Sequence, residues 1–390
     1  MNFLHTSDWH LGKYLVTHSR LEEQEMFLKE LLEICNTREI DVILLAGDIY
    51  DTFNPPAAAE ELFYKYIEEL SRNRLIIIVS GNHDNPQRLM AASPVIYKDG
   101  VIIVGLPNTI IPAKTKKDFS VLESGQGYFR IKFKNEIINF VTMAYPNEKR
   151  LEELFQEDEE VQLQEKFSDT VKEKVEKSCE EIFTSDINIF MGHFFVTGGK
   201  ESKSERQIQV GGSLAIDVDA LPKGADYIAL GHLHRCQKIN YSVPVYFSGS
   251  PIQYSLSEKN YSKSVLFFTS ENFEPEKIYL KNYKPIELWE VENLQVAMEM
   301  AAKKAEENSY VYIKINDNII LTASEIRHLR GLKKDIIEIY THDVKSEIVE
   351  EPLEEISLID EFKKYYKEKV GVEVEEEVLE LFLSFSEELQ

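Results

Sequence analysis

Five short blocks along this 390-residue chain share one construction: an apolar run, then side chains able to hold a metal ion. They are Ser7-Asp8-Trp9-His10, Gly47-Asp48-Ile49-Tyr50-Asp51, Gly81-Asn82-His83-Asp84, Gly192-His193 and Gly231-His232-Leu233-His234. In four of them a glycine stands immediately before the first potential ligand. A strand that ends in glycine and then a ligand delivers side chains to the carboxyl end of a sheet, where open α/β folds gather their sites. Asp8 and His10 are two residues apart, as are His232 and His234. Extended backbone turns such neighbours to the same face, so each pair is expected to converge on one point. Alone, each block is an ordinary turn or surface sequence. Five in order, each after a strand, point jointly to a metal site.

Between the blocks, helical periodicity covers Leu21–Glu39 and Ala57–Leu70, and buried strands are predicted at Val42–Ala46 and Leu75–Val79. Apolar strands separated by helices imply βαβ units and a sheet covered on its faces. Further strands are predicted at Val101–Leu106, Tyr128–Phe133 and Ile137–Met143, then a charged helix over Glu148–Phe183. Strands follow at Ile187–Met191, Tyr227–Leu230, Val243–Phe247 and Val265–Phe268, with a polar loop from Gly198 to Gly212. A second α/β unit starts near Tyr283-Lys284-Pro285. It reads strand Ile286–Val291, helix Leu294–Glu307, strand Tyr310–Ile315, helix Ala323–Leu329, strand Ile336–Tyr340. Two amphipathic helices, Leu353–Lys369 and Val374–Leu389, have little core of their own. They either pack back onto the domain or dock to a partner.

The chemical mixture of the blocks narrows the ion. His, Asp and one Asn make an N/O set suited to borderline divalent ions such as Mn²⁺, Fe²⁺ or Zn²⁺, and disfavour sulfur-rich or purely oxygen sites. Two such ions about 3.5–4 Å apart, bridged by a carboxylate, suit in-line attack on phosphate. Three cysteines, Cys35, Cys179 and Cys236, are too few and scattered for a disulfide framework, so a reducing cytoplasm is the expected compartment. No apolar run approaches the ~18 residues of a membrane span, and no signal peptide is visible. The net charge of −24 is opposite to that of a free-standing duplex binder, so any nucleic-acid role needs bound cations or a basic partner. The acidity is concentrated: 147–186 carries −8 and 343–390 carries −11, leaving −5 for the remainder.

The blocks resemble the calcineurin-like metallophosphoesterase pattern DxH, GD, GNHD/E, GH, GHxH. Closer still is the likeness to the SbcD-type DNA exonuclease branch. It is carried by His5-Thr6-Ser7-Asp8-Trp9-His10-Leu11-Gly12, by Gly47–Asp51 continuing to Pro55-Pro56, and by Gly231-His232-Leu233-His234-Arg235. Ser204-Glu205-Arg206 with Val210-Gly211-Gly212, and Gly249-Ser250-Pro251, agree with it. The resemblance implies an α/β fold: a two-sheet sandwich flanked by helices over 1–275, a small α/β capping domain over 283–343, and a helical tail over 353–390. It implies that Asp8, His10 and His234 bind one ion, that Asn82, His193 and His232 bind another, and that Asp48 bridges them. His83 is then the catalytic group facing the scissile phosphate. The implied cofactor is two divalent ions, foremost Mn²⁺. The implied activity is 3′ to 5′ degradation of duplex DNA ends, with endonucleolytic cutting of hairpins and single strands and cutting of protein-blocked ends. The implied partners are an SbcC-type ATPase with a coiled coil and a second copy of the chain, through Ala57–Leu70 and Gln87–Tyr97, in a cytoplasmic, nucleoid-associated setting.

Several positions stay open at this level. Asp51 stands where relatives often carry His, and either holds a ligand strand by hydrogen bonding or joins the chemistry. His5 either tunes the first ion from behind its ligands or is a core histidine. His18, His328 and His342 read as ordinary polar residues, and Cys236 as no ligand. Lys200, Lys203 and Arg206 either contact a DNA backbone or belong to a solvated loop. A phosphodiesterase or phosphatase acting on nucleotides or phosphoproteins would use the same metals. A non-catalytic scaffold is the remaining class.

Overall fold

The computed structural model describes residues 1–113, 115, 119–146, 160–200, 202 and 215–341. The expected tail helices, His342, Lys203, Arg206 and the first part of the long charged helix lie outside the described residues. Met1–Asp317 and Leu321–Tyr340 pack as one compact unit; Asn318–Ile320 and Thr341–Gln390 form the other.

Two sheets carry the larger unit. The first has the order Asn272–Tyr279, Ser264–Thr269, Asn2–Thr6, Val42–Ala46, Leu75–Val79, Val101–Val104, and its last four strands are parallel. In the second, Glu136–Met143, Ile187–His193, Tyr227–Gly231 and Val245–Phe247 run parallel, with antiparallel strands on both outer sides. Side chains alternate across a strand, and here both faces are buried. Val42, Leu44, Leu75 and Ile77 enter a core shared with Phe129, Phe140, Ile189 and Tyr227 of the second sheet. Ile43, Leu45, Ile76 and Ile78 pack on the other side with residues of the helices Leu21–Thr37 and Ala57–Leu70. The helix Glu160–Ile182 covers the second sheet through Phe167, Val171 and Val175. The result is a helix–sheet–sheet–helix sandwich, the α/β class expected.

A separate three-stranded sheet, Ile286–Val291, Tyr310–Ile315 and Ile336–Thr341, carries the helices Leu294–Lys303 and Ala323–Leu332. Asn293 and Thr322 cap those helices, the latter with a full capping box to Glu325. Leu15, from the hairpin Tyr14–Ser19, is buried with Ile286, Tyr310, Tyr312 and Ile337, joining this sheet to the sandwich. The expected single helix over Gln87–Tyr97 is instead two short ones, Pro86–Met90 and Ser93–Ile96, followed by a 3₁₀ turn. Pro94 explains the break, because it lacks an N–H and sits in the first turn of the second piece.

Candidate metal centre

All five blocks meet where the parallel strands end. Asp8 and His10 follow Asn2–Thr6, Asp48 follows Val42–Ala46, and Asn82 and His83 follow Leu75–Val79. His193 closes Ile187–His193, while His232 and His234 follow Tyr227–Gly231. The backbone there corrects one expectation. Asp8, His10 and Asp48 have φ of 53°, 45° and 50°, and His232 has φ of 108°. The pairs therefore converge through left-handed turns beyond the strand ends and not through pleated backbone. Such conformations cost non-glycine residues of order 1–3 kcal/mol and persist only where the surroundings hold them. Here the Asp8 N–H donates to the Gly47 carbonyl at 2.9 Å and the His10 N–H to the Asp48 carbonyl at 3.0 Å.

Close approach accounts for the glycines. A Cβ on Gly231 would lie 1.7 Å from the Ala46 oxygen, and one on Gly47, at φ 86°, would lie 2.2 Å from His193 Nδ1.

The donor atoms face one another. Those of Asp8, His10 and His234 lie within 4.8 Å of each other, as do those of Asp8, Asp48 and His193, and those of His10, Asp48 and His83. Asn82 Oδ1 stands 3.0 Å from His193 Nε2 and 3.1 Å from His232 Nδ1. His10 Nε2 and His234 Nε2 face each other at 3.0 Å. His10 Nδ1 is 3.3 Å from an Asp51 carboxylate oxygen, and His234 Nδ1 is 3.8 Å from one of Glu258. Carboxylates behind both rings favour the proton on Nδ1, which points two bare Nε2 lone pairs at one place. His193 Nδ1 donates to the Ala46 carbonyl at 2.9 Å, which turns its Nε2 toward the site. The Nε2 atoms of His10 and His234, converging beside the Asp8 carboxylate, fit a cation.

Electrostatics agree. Burial pushes His10 and His232 down to about 3, so both are neutral and fit to ligate. For Asp48, burial works upward, but His193 and His83 outweigh it and hold the carboxyl well below its usual range. For His193, burial works downward, and Asp48, 3.4 Å from Nε2, overrides it to raise the imidazole to about 9. Burial raises Asp8 to about 6 despite the opposing pull of His193 and His234.

A family model described as calcineurin-like phosphoesterase matches residues 1–236. The SbcD component of the nuclease SbcCD from Bacillus subtilis (strain 168) is 34% identical over 397 residues, spanning 99% of this chain and 98% of that protein. The chain belongs to the calcineurin-like phosphoesterases, in the SbcD family. The SbcD proteins of Staphylococcus epidermidis and Escherichia coli (strain K12) are 27% and 29% identical, covering 99% and 71% of this chain and 98% and 67% of their own lengths. Membership makes this chain a metal-dependent phosphodiester hydrolase, and the His/Asp cluster is where a divalent ion fits.

In this phosphoesterase several supporting groups had no role assigned from sequence. The buried Asp84 carboxylate accepts from the backbone N–H groups of Gly81, Tyr50 and Ile49 at 2.8, 3.0 and 3.2 Å, stapling the third block to the second. Its place directly after His83 was the only signal. Glu258 pairs with Lys263, which also donates to the His234 carbonyl at 3.0 Å. Tyr254 sets its ring edge-on to His10 and His234, and its hydroxyl bonds the Trp9 carbonyl. Both lie far along the chain from the ligands they support.

The open positions resolve in part. Asp51 binds Lys13 at 2.5 Å, backs His10, and through its carbonyl accepts His83 Nδ1–H at 2.5 Å. His5 is a core histidine, 3.1 Å from the Tyr227 hydroxyl, and burial lowers it to about 3. His18 faces Tyr310 of the small sheet, and His328 is exposed on a helix. Cys236 is a free thiol outside the donor cluster. Lys200 is exposed, its N–H bonded to Gln237.

Proposed function

We propose that this chain is a Mn²⁺-dependent DNA nuclease that hydrolyses phosphodiester bonds with two divalent ions and works with an SbcC-type ATPase. The convergence of seven donor side chains with His83 at one rim is the observation that supports it most. In this reading Asp8, His10 and His234 hold one ion, Asn82, His193 and His232 the other, and Asp48 both. When bound, the ions supply Lewis acidity toward the phosphoryl oxygens and a water acidic enough to attack.

The chain's own groups do the rest. Asp51 and Glu258 keep the His10 and His234 rings turned so that Nε2 faces inward. The Asp51 carbonyl holds His83 Nδ1–H, leaving Nε2, 4.0 Å from Asp48 Oδ2, toward the substrate. From there His83 Nε2–H stabilises charge on the phosphate or gives its proton to the leaving oxygen.

The wider assignments belong to the same proposal. Residues 1–275 form the nuclease domain, 283–343 a capping domain, and 353–390 a tail that grips the coiled coil of the ATPase. A second copy pairs through Ala57–Leu70 and the two short helices after the third block. The substrates are DNA ends, degraded 3′ to 5′, and hairpins, in the nucleoid-associated cytoplasm. Among the described residues no helix is long and apolar enough to cross a membrane.

Labelled duplex DNA, cyclic nucleotides and p-nitrophenyl phosphate, each offered with Mn²⁺, test the reading. Preferential cleavage of DNA supports it, and preference for either small substrate contradicts it. His83→Leu, a neutral non-donor, is expected to lower DNA cleavage at least 10²-fold while Mn²⁺ binding persists; unchanged turnover removes His83 from the chemistry.

A further inference from the structure

Two large exposed apolar side chains stand on the loops that carry the catalytic rim. Tyr14 is 55% exposed and Phe53 is 51% exposed. Phe53 lies two residues past Asp51, a reach of at most ~7 Å, and the Asp51 carbonyl holds His83. Tyr14 follows Lys13, whose ammonium pairs with the Asp51 carboxylate. The Asp51 N–H donates to the Leu11 carbonyl at 3.2 Å, and Leu11 and Tyr50 form a parallel bridge, so the two loops are tied together.

Neither ring is needed to anchor its loop. Leu15, on the opposite face of the hairpin from Tyr14, is buried in the cluster of the small sheet. Tyr50 is buried edge-on against Phe63. The basic residues of the hairpin segment, Lys13 and Arg20, are paired with Asp51 and Glu23. This part of the rim therefore offers flat apolar rings on a held backbone, and its nearby cations are already engaged.

We propose that Tyr14 and Phe53 form a stacking rim for the bases of an unpaired strand, so that nucleotides beside the scissile bond enter the site unstacked. The inference rests on the nuclease reading and deepens it. Every base has a π-face, so stacking on aromatic side chains accepts any sequence. Inside a duplex, neighbours cover both faces of a base. Only an unpaired or frayed strand has faces to give. The rim thus selects for single-stranded or melted DNA at the point of cleavage.

The test uses the full chain with Mn²⁺ and two single-stranded oligonucleotides, one normal and one abasic at the nucleotide beside the scissile phosphate. Stacking of one base predicts that the native protein cuts the normal strand about tenfold more efficiently in kcat/KM than the abasic one. Phe53→Ala and Tyr14→Ala should cut the normal strand about tenfold less well and distinguish the two by less than about twofold. Phe53→Trp should restore the discrimination, and Leu122→Ala, a truncation at another exposed apolar position, should keep it. Cleavage of both strands with the same ratio in the native protein and the alanine variants overturns the rim. No cleavage of any DNA by the native protein overturns the nuclease reading instead.

Discussion

The proton on His193 stands where a cation is proposed to sit. Asp48 raises that imidazole to about 9, so at pH 7.5 the metal-free protein carries the proton, and a ligating Nε2 must lose it. Titrating Mn²⁺ calorimetrically in buffers of different ionisation enthalpy should show about one proton released, with affinity rising as pH approaches 9. Affinity independent of pH across that range would contradict the assignment. The sign for stability runs the other way: the raised His193 stabilises the metal-free fold fully below its ordinary 6.5, and that contribution disappears as pH rises through about 9. Asp51→Asn should weaken Mn²⁺ binding about 10- to 100-fold, because it loosens the carboxylate behind His10. All eight proposed site residues were legible in the sequence, since each stands at a strand end in a recognisable block. Ala46, which acts through its carbonyl, was not, because any residue supplies that group.

At the scale of elements, buried parallel strands announced themselves: Val42–Ala46 and Leu75–Val79 have the expected ends, because both faces are apolar and the runs are continuous. The strands Phe119–Gly125, Gln237–Ile239 and Asn272–Tyr279 went unread. They lie at sheet edges, and Asn272–Tyr279 carries Glu274, Pro275, Glu276 and Lys277, a composition that masks a half-exposed strand. The turns after the strands hold the site together, so they should be its weak points. Gly231→Ala would drive a methyl into the Ala46 carbonyl, and the backbone shift should abolish Mn²⁺ binding and lower Tm by several degrees. Asp84→Ala leaves three buried N–H groups without their acceptor and should cost at least about 3 kcal/mol in thermal or urea unfolding. A variant of native stability would show that the staple between the second and third blocks is dispensable.

Across the whole molecule, a charge of −24 must be reconciled with an anionic polymer as substrate. The two acidic segments extend beyond the described sandwich, into residues 147–159 and 342–390, and outside those two segments the chain carries only −5. The isolated chain is therefore expected to bind DNA weakly and with steep salt dependence, read by fluorescence anisotropy between 50 and 200 mM salt. Nanomolar binding without metal or partner would contradict that. The central claim is that side chains remote in sequence meet to hold two cations, and anomalous scattering from a crystal soaked in Mn²⁺ measures it directly. The account predicts two peaks, one against Asp8, His10 and His234 and one against Asn82, His193 and His232, with Asp48 touching both. No peak there, or a single ion elsewhere on the surface, would contradict it.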